Sequence, residues 1–356
     1  MKRTFRTFAI VVLAALVGTM GFLLWGSRGA LPASDLATVT VYPGTRPATP
    51  PDTFTVMTYN IGYLSGMTNN RPVDRTEKLF ADNLAAAKRI MARIRPDVAA
   101  FQEIDFGAKR SYDLNQLDAL AIAGGYYAAA AAVNWDKHYV PFPSANPFYH
   151  FGRMLSGQAV LSRFPLAAHE RYAIERPPTP FYYDAFYLER LAQIVRVDAG
   201  TPLLVINVHL EAYDAETRNR QAAEVLTLFR RYRGHLPVLL LGDFNSIVPQ
   251  ERAFMSDSLR AASIQDHAAE LFIKEPGLEE SFLGLPIADS TSFAAEYTFP
   301  SDVPRTGIDH IFYTPDRITP VATYVVDGPD QPSDHRALVM RFVLKPDSAA
   351  TAASHR

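Results

Sequence analysis

The 356-residue chain contains no cysteine. Disulfide scaffolds, thiolate metal sites, a cysteine nucleophile and a lipid anchor on cysteine are therefore excluded. No His-Glu-x-x-His segment occurs, which removes the usual helical zinc-protease arrangement. A glycine-rich phosphate loop is also missing and speaks against a P-loop enzyme or a kinase. Excess charge of one sign is missing too. The formal net charge is −2, which argues against a general nucleic-acid coat protein but leaves room for a local basic groove. No internal repeat is visible. Apolar content of 48% is ordinary for a globular protein and allows one large core or two average ones.

Lys2, Arg3 and Arg6 precede an uncharged run from Thr7 to Ser27. Its core, Phe8 to Trp25, is close to the roughly 20 residues of a membrane span. It exceeds the roughly 7–15 residues of a signal-peptide core, and no Ala-x-Ala site follows it. The expectation is an uncleaved anchor over 1–30 with the basic end in the cytoplasm. The alternative is a cleaved signal peptide and a secreted domain. Either way the remainder crosses a membrane. Residues 31–52 carry five prolines and read as a linker. A catalytic domain is expected over 53–345, followed by a disordered tail at 346–356.

Within that domain, strand-like runs end in polar groups. Thr53 to Asn60 and Asp97 to Glu103 are the first two. Gln158 to Ser162, Leu191 to Val197, Leu203 to His209, Ile308 to Phe312 and Ala337 to Phe342 follow. Between the first two, Asp74-Arg-Thr-Glu77 resembles a capping box, and Phe80, Leu84, Ala87, Met91 and Ile94 keep helical spacing up to Pro96. Shorter helices are expected at Leu114 to Ala123 and from Asp214 to Gly234. The central stretch is Val238-Leu-Leu-Leu-Gly-Asp-Phe-Asn-Ser246. On extended chain its Asp243 and Asn245 would share a face.

Asn60, Glu103, His209 with Glu211, Asp243 with Asn245, Asp309, and Asp334 with His335 all stand at such strand ends. Each alone is explained by a turn or a solvated rim. Together they suit one chemistry. Carboxylate and amide oxygens favour a hard cation. Amides can position phosphate oxygens or a nucleophile, and a His beside a carboxylate can exchange a proton.

The ordered set Thr58-Tyr-Asn60, Pro96-Asp-Val-Ala-Ala-Phe-Gln-Glu103, Asn207-Val-His209, Gly242-Asp-Phe-Asn245, Ile308-Asp309-His-Ile and Ser333-Asp-His335 resembles the endonuclease/exonuclease/phosphatase superfamily. The resemblance covers about Thr53 to Leu344. It implies a four-layered α/β/β/α sandwich of two packed mixed sheets and metal-dependent phosphoester hydrolysis. Mg²⁺ is the implied ion, with Mn²⁺ as a substitute. Glu103 would ligate it with Asn60 beside it, and Asp334 would lie near it or near a second metal. Asp243 would position or activate the attacking water, and Asn245 would hold phosphate or that water. His209 would donate to a phosphate oxygen. His335, oriented by Asp309, would contact the scissile phosphate. Whether Asp243 or His335 is the base stays open.

Two aromatic stretches, Trp135 to Arg153 and Glu175 to Tyr187, lie between these motifs. They read as packed loops, as a groove wall, as a surface dipping into lipid headgroups, or as base-stacking platforms. His209-Leu-Glu-Ala is similar to the corresponding segment of neutral sphingomyelinases. The first expectation is a membrane-tethered phosphodiesterase or phosphatase acting on a lipid headgroup. An extracytoplasmic nuclease acting on DNA is the alternative, and a non-catalytic binding module the third. Nothing in the sequence indicates a protein partner.

Overall fold

The computed structural model describes residues 2–283, 294–328 and 330–346. Thirteen strands are present among them: β1 (Ala37–Val41), β2 (Phe54–Asn60), β3 (Val98–Asp105), β4 (Ala128–Val140), β5 (Gly152–Ser162), β6 (Leu166–Ala173), β7 (Leu191–Ala199), β8 (Thr201–His209), β9 (Val238–Asp243), β10 (Glu279–Glu280), β11 (Asp309–Tyr313), β12 (Ile318–Val325) and β13 (Leu338–Leu344). The helices are α1 (Lys2–Gly26), α2 (Glu77–Ile94), α3 (Gln116–Gly124), α4 (Phe181–Asp184), α5 (Ala215–Tyr232), α6 (Asp257–Ala262) and α7 (Ala268–Ile273).

The strands form a seven-stranded sheet, β1-β4-β5-β3-β2-β13-β12, and a six-stranded sheet, β10-β11-β9-β8-β7-β6. Both are mixed: β2/β3 and β8/β9 pair in parallel, and the other neighbours are antiparallel. Period-2 alternation divides the apolar residues among three cores. Val56, Val98, Ala100, Val205, Leu239, Leu241 and Met340 fill the space between the sheets. Met57, Tyr59, Ala99 and Phe101 pack outward on Phe80, Ala87, Met91 and Leu120 of α2 and α3. Leu204, Ile206 and Leu240 pack outward on Ala222, Val225, Phe229 and Phe272 of α5 and α7. The chain is thus the expected α/β/β/α sandwich.

The helix boundaries follow local chemistry. Thr76 caps α2 by accepting from the Leu79 amide, two residues later than the capping-box start expected at Asp74. Asn115 caps α3, and Gly125 ends it at φ +62°.

The strand β4 escaped sequence reasoning. It begins with Ala128 to Ala132, five residues of high helix propensity with no polar alternation. Burial decides otherwise: Ala129 enters the outer core and Ala130 the inter-sheet core. Edge strands β6 and β12 are mostly exposed and charged or proline-broken, so they lack an apolar signature. Within 31–52, read as a linker from its prolines, Ala37–Val41 pairs antiparallel with β4 and forms the sheet edge. The tail, from residue 347 onward, lies outside the described residues.

Candidate active site

The inter-sheet faces end in polar residues at one end of the sandwich. Asp243 of β9 lies in register with His209 of β8 and with Asp309 of β11. Paired residues project to one face, so all three point between the sheets, continuing the row of Leu239 and Leu241. Gly242 stands at φ +142°, where a Cβ would lie 2.0 Å from the Val208 carbonyl oxygen. Only glycine fits there. From the opposite sheet, the Asn60 amide donates to Asp243 Oδ2 at 2.8 Å and closes the end of the sandwich.

A buried amide layer underlies this rim. Gln102 Nε2 donates to Asn207 Oδ1 at 2.6 Å, and Asn207 Nδ2 donates to Gln193 Oε1 at 3.0 Å. Gln158 Nε2 donates to the Asn207 carbonyl at 3.0 Å. These bonds tie the two sheets together where apolar packing stops.

Glu103 reaches the site through a bulge. The β3–β5 register shifts between Phe101 and Ile104, and Glu103 itself is left-handed at φ +51°. That backbone costs about 1–3 kcal/mol for a non-glycine residue. Its Oε2 accepts from Asn69 Nδ2 at 2.8 Å, and the same nitrogen lies 3.3 and 3.4 Å from the Asp334 oxygens. Two carboxylates thus converge on one amide. Burial raises the pKa of both, and Asp334 is raised further by Glu103. Such a donor set suits a hard divalent cation.

His335 and Asp309 form the other half. His335 Nδ1 is 2.9 Å from Asp309 Oδ2, and its Nε2 is 3.8 Å from Asp243 Oδ2. Burial disfavours the imidazolium, but Asp309 and Asp243 outweigh it and push the pKa up to about 10. Ser333 fixes this loop: its hydroxyl donates to the Asn60 carbonyl at 2.7 Å and accepts from the His335 amide at 3.1 Å. Burial pushes the Asp243 pKa up to about 6, against His335. His209 Nε2 lies 3.4 Å from Asp243 Oδ2 and 3.9 Å from Glu103 Oε1. Burial, with Arg190 and His335 nearby, holds His209 well below the ordinary imidazole range. Asp243, Asp309 and His335 also present ligand atoms within 4.8 Å of one another. A charged His335 engaged by Asp309 is a poor ligand, so the Glu103–Asp334 pair is the better cation candidate.

Of the nine residues singled out at strand ends, eight meet here and Glu211 does not, and two of the eight hold different partners than expected. Asn60 donates to Asp243 and accepts from the Gly62 amide at 3.1 Å, so it braces the site. Asn245 does not continue the extended face of Asp243. Strand β9 ends at Asp243, and Asn245 turns left-handed at φ +49°. Its amide donates to Asp243 Oδ1 at 2.9 Å, and its Nδ2 donates to the Leu210 carbonyl at 3.1 Å. Glu211 faces away, accepting from Tyr187 at 2.8 Å and from the Tyr213 amide at 3.0 Å.

Asn69 and Arg190 were not found by sequence reasoning. Arg190 is buried, its Nε is 3.4 Å from Glu211, and its Nη1 has no partner among the described residues. Burial disfavours its charge, but Tyr187 and Glu211 restore it. Neither residue stands at the end of an apolar run, the only signal available.

A model of the Endonuclease/Exonuclease/phosphatase family matches residues 57–335. No curated protein matches the chain. Among solved structures, an endonuclease/exonuclease/phosphatase from Beutenbergia cavernae DSM 12333 has a TM-score of 0.58 at 22% identity, covering 83% of this chain and 72% of that one. The human Nocturnin catalytic domain with bound sulfate has a TM-score of 0.55 at 16% identity, covering 88% and 100%. D. rerio TDP2 complexed with single strand DNA product has a TM-score of 0.54 at 16% identity, covering 82% and 99%. At these identities the likenesses speak for the fold.

Proposed function

The chain belongs to the endonuclease/exonuclease/phosphatase family, and from that membership we propose that it is a membrane-tethered, divalent-metal-dependent phosphoester hydrolase. The observation that carries the reading is the convergence of Glu103 and Asp334 on Asn69, facing the His335–Asp309 pair across Asp243. Glu103 and Asp334 would hold Mg²⁺ or Mn²⁺. Such an ion, when bound, offsets the charge that develops on phosphate oxygens.

The chain's own groups supply the rest. Asp243 accepts the proton of the attacking water. His335, kept charged by Asp309, donates to the phosphate and protonates the leaving oxygen. His209, a neutral ring, donates to a second phosphate oxygen. Water oxygen bonds to phosphorus and the ester P–O bond breaks. Arg190 adds fixed positive charge beside Glu103. Asn60 and Asn245 hold the Asp243 carboxylate in place.

Helix α1 would anchor the domain, its basic start in the cytoplasm and residues 53–345 outside. Loss of this segment to a signal peptidase would leave a secreted enzyme. A lipid phosphoester fits a tethered domain with near-neutral charge. The likeness to D. rerio TDP2 with its DNA product is the observation favouring a nuclease. The test is the purified protein assayed with Mg²⁺, and again after chelation, on bis(4-nitrophenyl) phosphate, phospholipid vesicles, inositol phosphates and single-stranded DNA. Metal-dependent cleavage of the small diester with vesicle lipid supports the reading. Efficient DNA degradation with lipid untouched establishes the nuclease, and no cleavage of anything leaves a binding module.

A further inference from the structure

The anchor helix does more than precede the domain. Its last turn is docked on the projecting end of β4. Lys137 Nζ donates to the Ser27 carbonyl at 2.8 Å, the His138 amide donates to the Arg28 carbonyl at 2.8 Å, and the Leu31 amide donates to Asp136 at 2.8 Å. The Trp25 ring stacks on His138 at 5.8 Å, and Phe22 meets Tyr139 at 5.6 Å and Phe186 at 6.1 Å. Gly26 permits the contact: a Cβ there would stand 3.1 Å from the Phe186 ring.

This docking closes a cavity of about 440 Å³, within the roughly 300–1,000 Å³ typical of small-molecule sites. Thr19, Phe22 and Leu23 of α1 form one wall, Trp135, Phe142 and Tyr183 the others, and the inner end reaches Glu103 and Arg190. The chamber is apolar at the helix and charged at the catalytic carboxylate. The helix spans 25 residues, roughly 37 Å at about 1.5 Å each, against about 30 Å of hydrocarbon. Its last turn therefore stands at the bilayer interface, where Trp is favoured, and so does the mouth of the chamber. Phe181 and Tyr182 near that mouth are 73% and 56% exposed.

We infer that the anchor helix is part of the substrate site, and that the chamber it closes takes the hydrocarbon tail of a membrane phosphoester lipid whose phosphate lies at Glu103 and Arg190. This rests on the hydrolase reading and adds what that reading leaves open: how the tail is recognised, and why the site stands beside the anchor. A polynucleotide has no tail to place there.

The test is photocrosslinking, which does not depend on turnover. Full-length protein is placed in vesicles of phosphatidylethanolamine and phosphatidylglycerol doped with a phosphatidylcholine carrying a diazirine at the end of one acyl chain, and adducts are mapped by mass spectrometry. Adducts are expected on the peptides holding Trp135 to Phe142 and Tyr182 to Leu188 as well as on α1. Filling the chamber with Leu23→Trp, or independently Thr19→Trp, should lower the domain adducts at least fivefold while those on residues 5–16 persist. Both variants should keep the circular dichroism spectrum and the Tm of the wild type, so that a lost adduct reports a filled chamber and not an unfolded domain. Adducts confined to residues 5–16, adducts indifferent to both variants, or a mature chain lacking α1 by intact mass would overturn the inference. Absent diester turnover with chamber adducts present would sink the hydrolase reading while leaving the lipid chamber standing.

Discussion

Asp309 Oδ2 lies 2.9 Å from His335 Nδ1 although 26 positions separate them in the chain. Strand β11 delivers the carboxylate in register with Asp243. The loop before β13 delivers the imidazole, held by Ser333. The pair makes His335 a donor with a fixed ring and a fixed charge, and this relationship underlies the first prediction.

His335→Ala should lower kcat for diester hydrolysis by about 10²–10⁴-fold, the range for a positioned proton donor. Asp309→Asn should cost less, about 10–100-fold, because it removes only orientation and charge support. Steady-state kinetics on a soluble diester checks both, and wild-type rates for His335→Ala would refute the assignment.

Glu103→Gln should abolish metal-dependent turnover while leaving the fold intact, since a neutral amide weakens a hard-cation site. Calorimetric titration with Mg²⁺ should show loss of binding, and circular dichroism should be unchanged. Turnover surviving exhaustive chelation of the wild type would dispose of the metal assignment altogether.

Replacing Phe181 and Tyr182 by Ser should reduce vesicle-lipid hydrolysis more than hydrolysis of a small soluble diester, because both rings are exposed near helix α1. Phe186, from the same aromatic stretch, is buried against helix α1, with its carbonyl accepting from the Trp135 indole at 2.9 Å. It is therefore left out of the pair. Equal losses on both substrates would remove the membrane role of these rings.

Glu251, bonded to the amide two residues before Asp309, supplies a pH prediction. Burial raises its pKa to about 8 from an ordinary 4.5, against the Gly307 amide that donates to it at 3.2 Å. Between those values the folded state holds a proton that the unfolded state releases, so stability falls as pH rises through that window. Glu251→Gln keeps an acceptor for Gly307 and removes the titration. The variant-minus-wild-type difference in Tm should be near zero at pH 4.5 and clearly positive at pH 8. A flat difference would contradict the protonated Glu251.

Asp105 and Arg110 form a buried pair with Nη2–Oδ1 at 2.9 Å and Nε–Oδ2 at 3.2 Å, the guanidinium lying 3.3 Å over the Tyr63 ring. Asp105→Ala leaves that charge buried and unpaired and should destabilise by about 3–5 kcal/mol. Denaturant unfolding reads it directly, and a loss under about 1 kcal/mol would show that the pair is dispensable.

The sequence by itself determined the strand ends and their order. Apolar runs closed by Asn60, Glu103, His209 and Asp243, and one opened by Asp309, are local patterns, and a two-residue period assigns a face without knowledge of any partner strand. The family was legible for that reason, and these five candidate site residues with it. Local pattern also misled. Alanine-rich β4 has no alternation, because a strand buried on both faces needs only small side chains. Asn245 left the face of Asp243 because β9 stops there.

Tertiary structure alone decided which strand lies beside which, and so set His209 and Asp309 on either side of Asp243. It brought Asn69 to Glu103 and Asp334, and Arg190 to the same chamber. These residues sit in loops or at strand starts, where no periodicity marks a side chain's direction. It also seated helix α1 on β4. That contact is made by the last turns of a helix that is uncharged after Arg6, whose composition suits any hydrocarbon surface and names no partner. Only the shape of Phe22, Gly26, Tyr139 and Phe186 against one another selects the place.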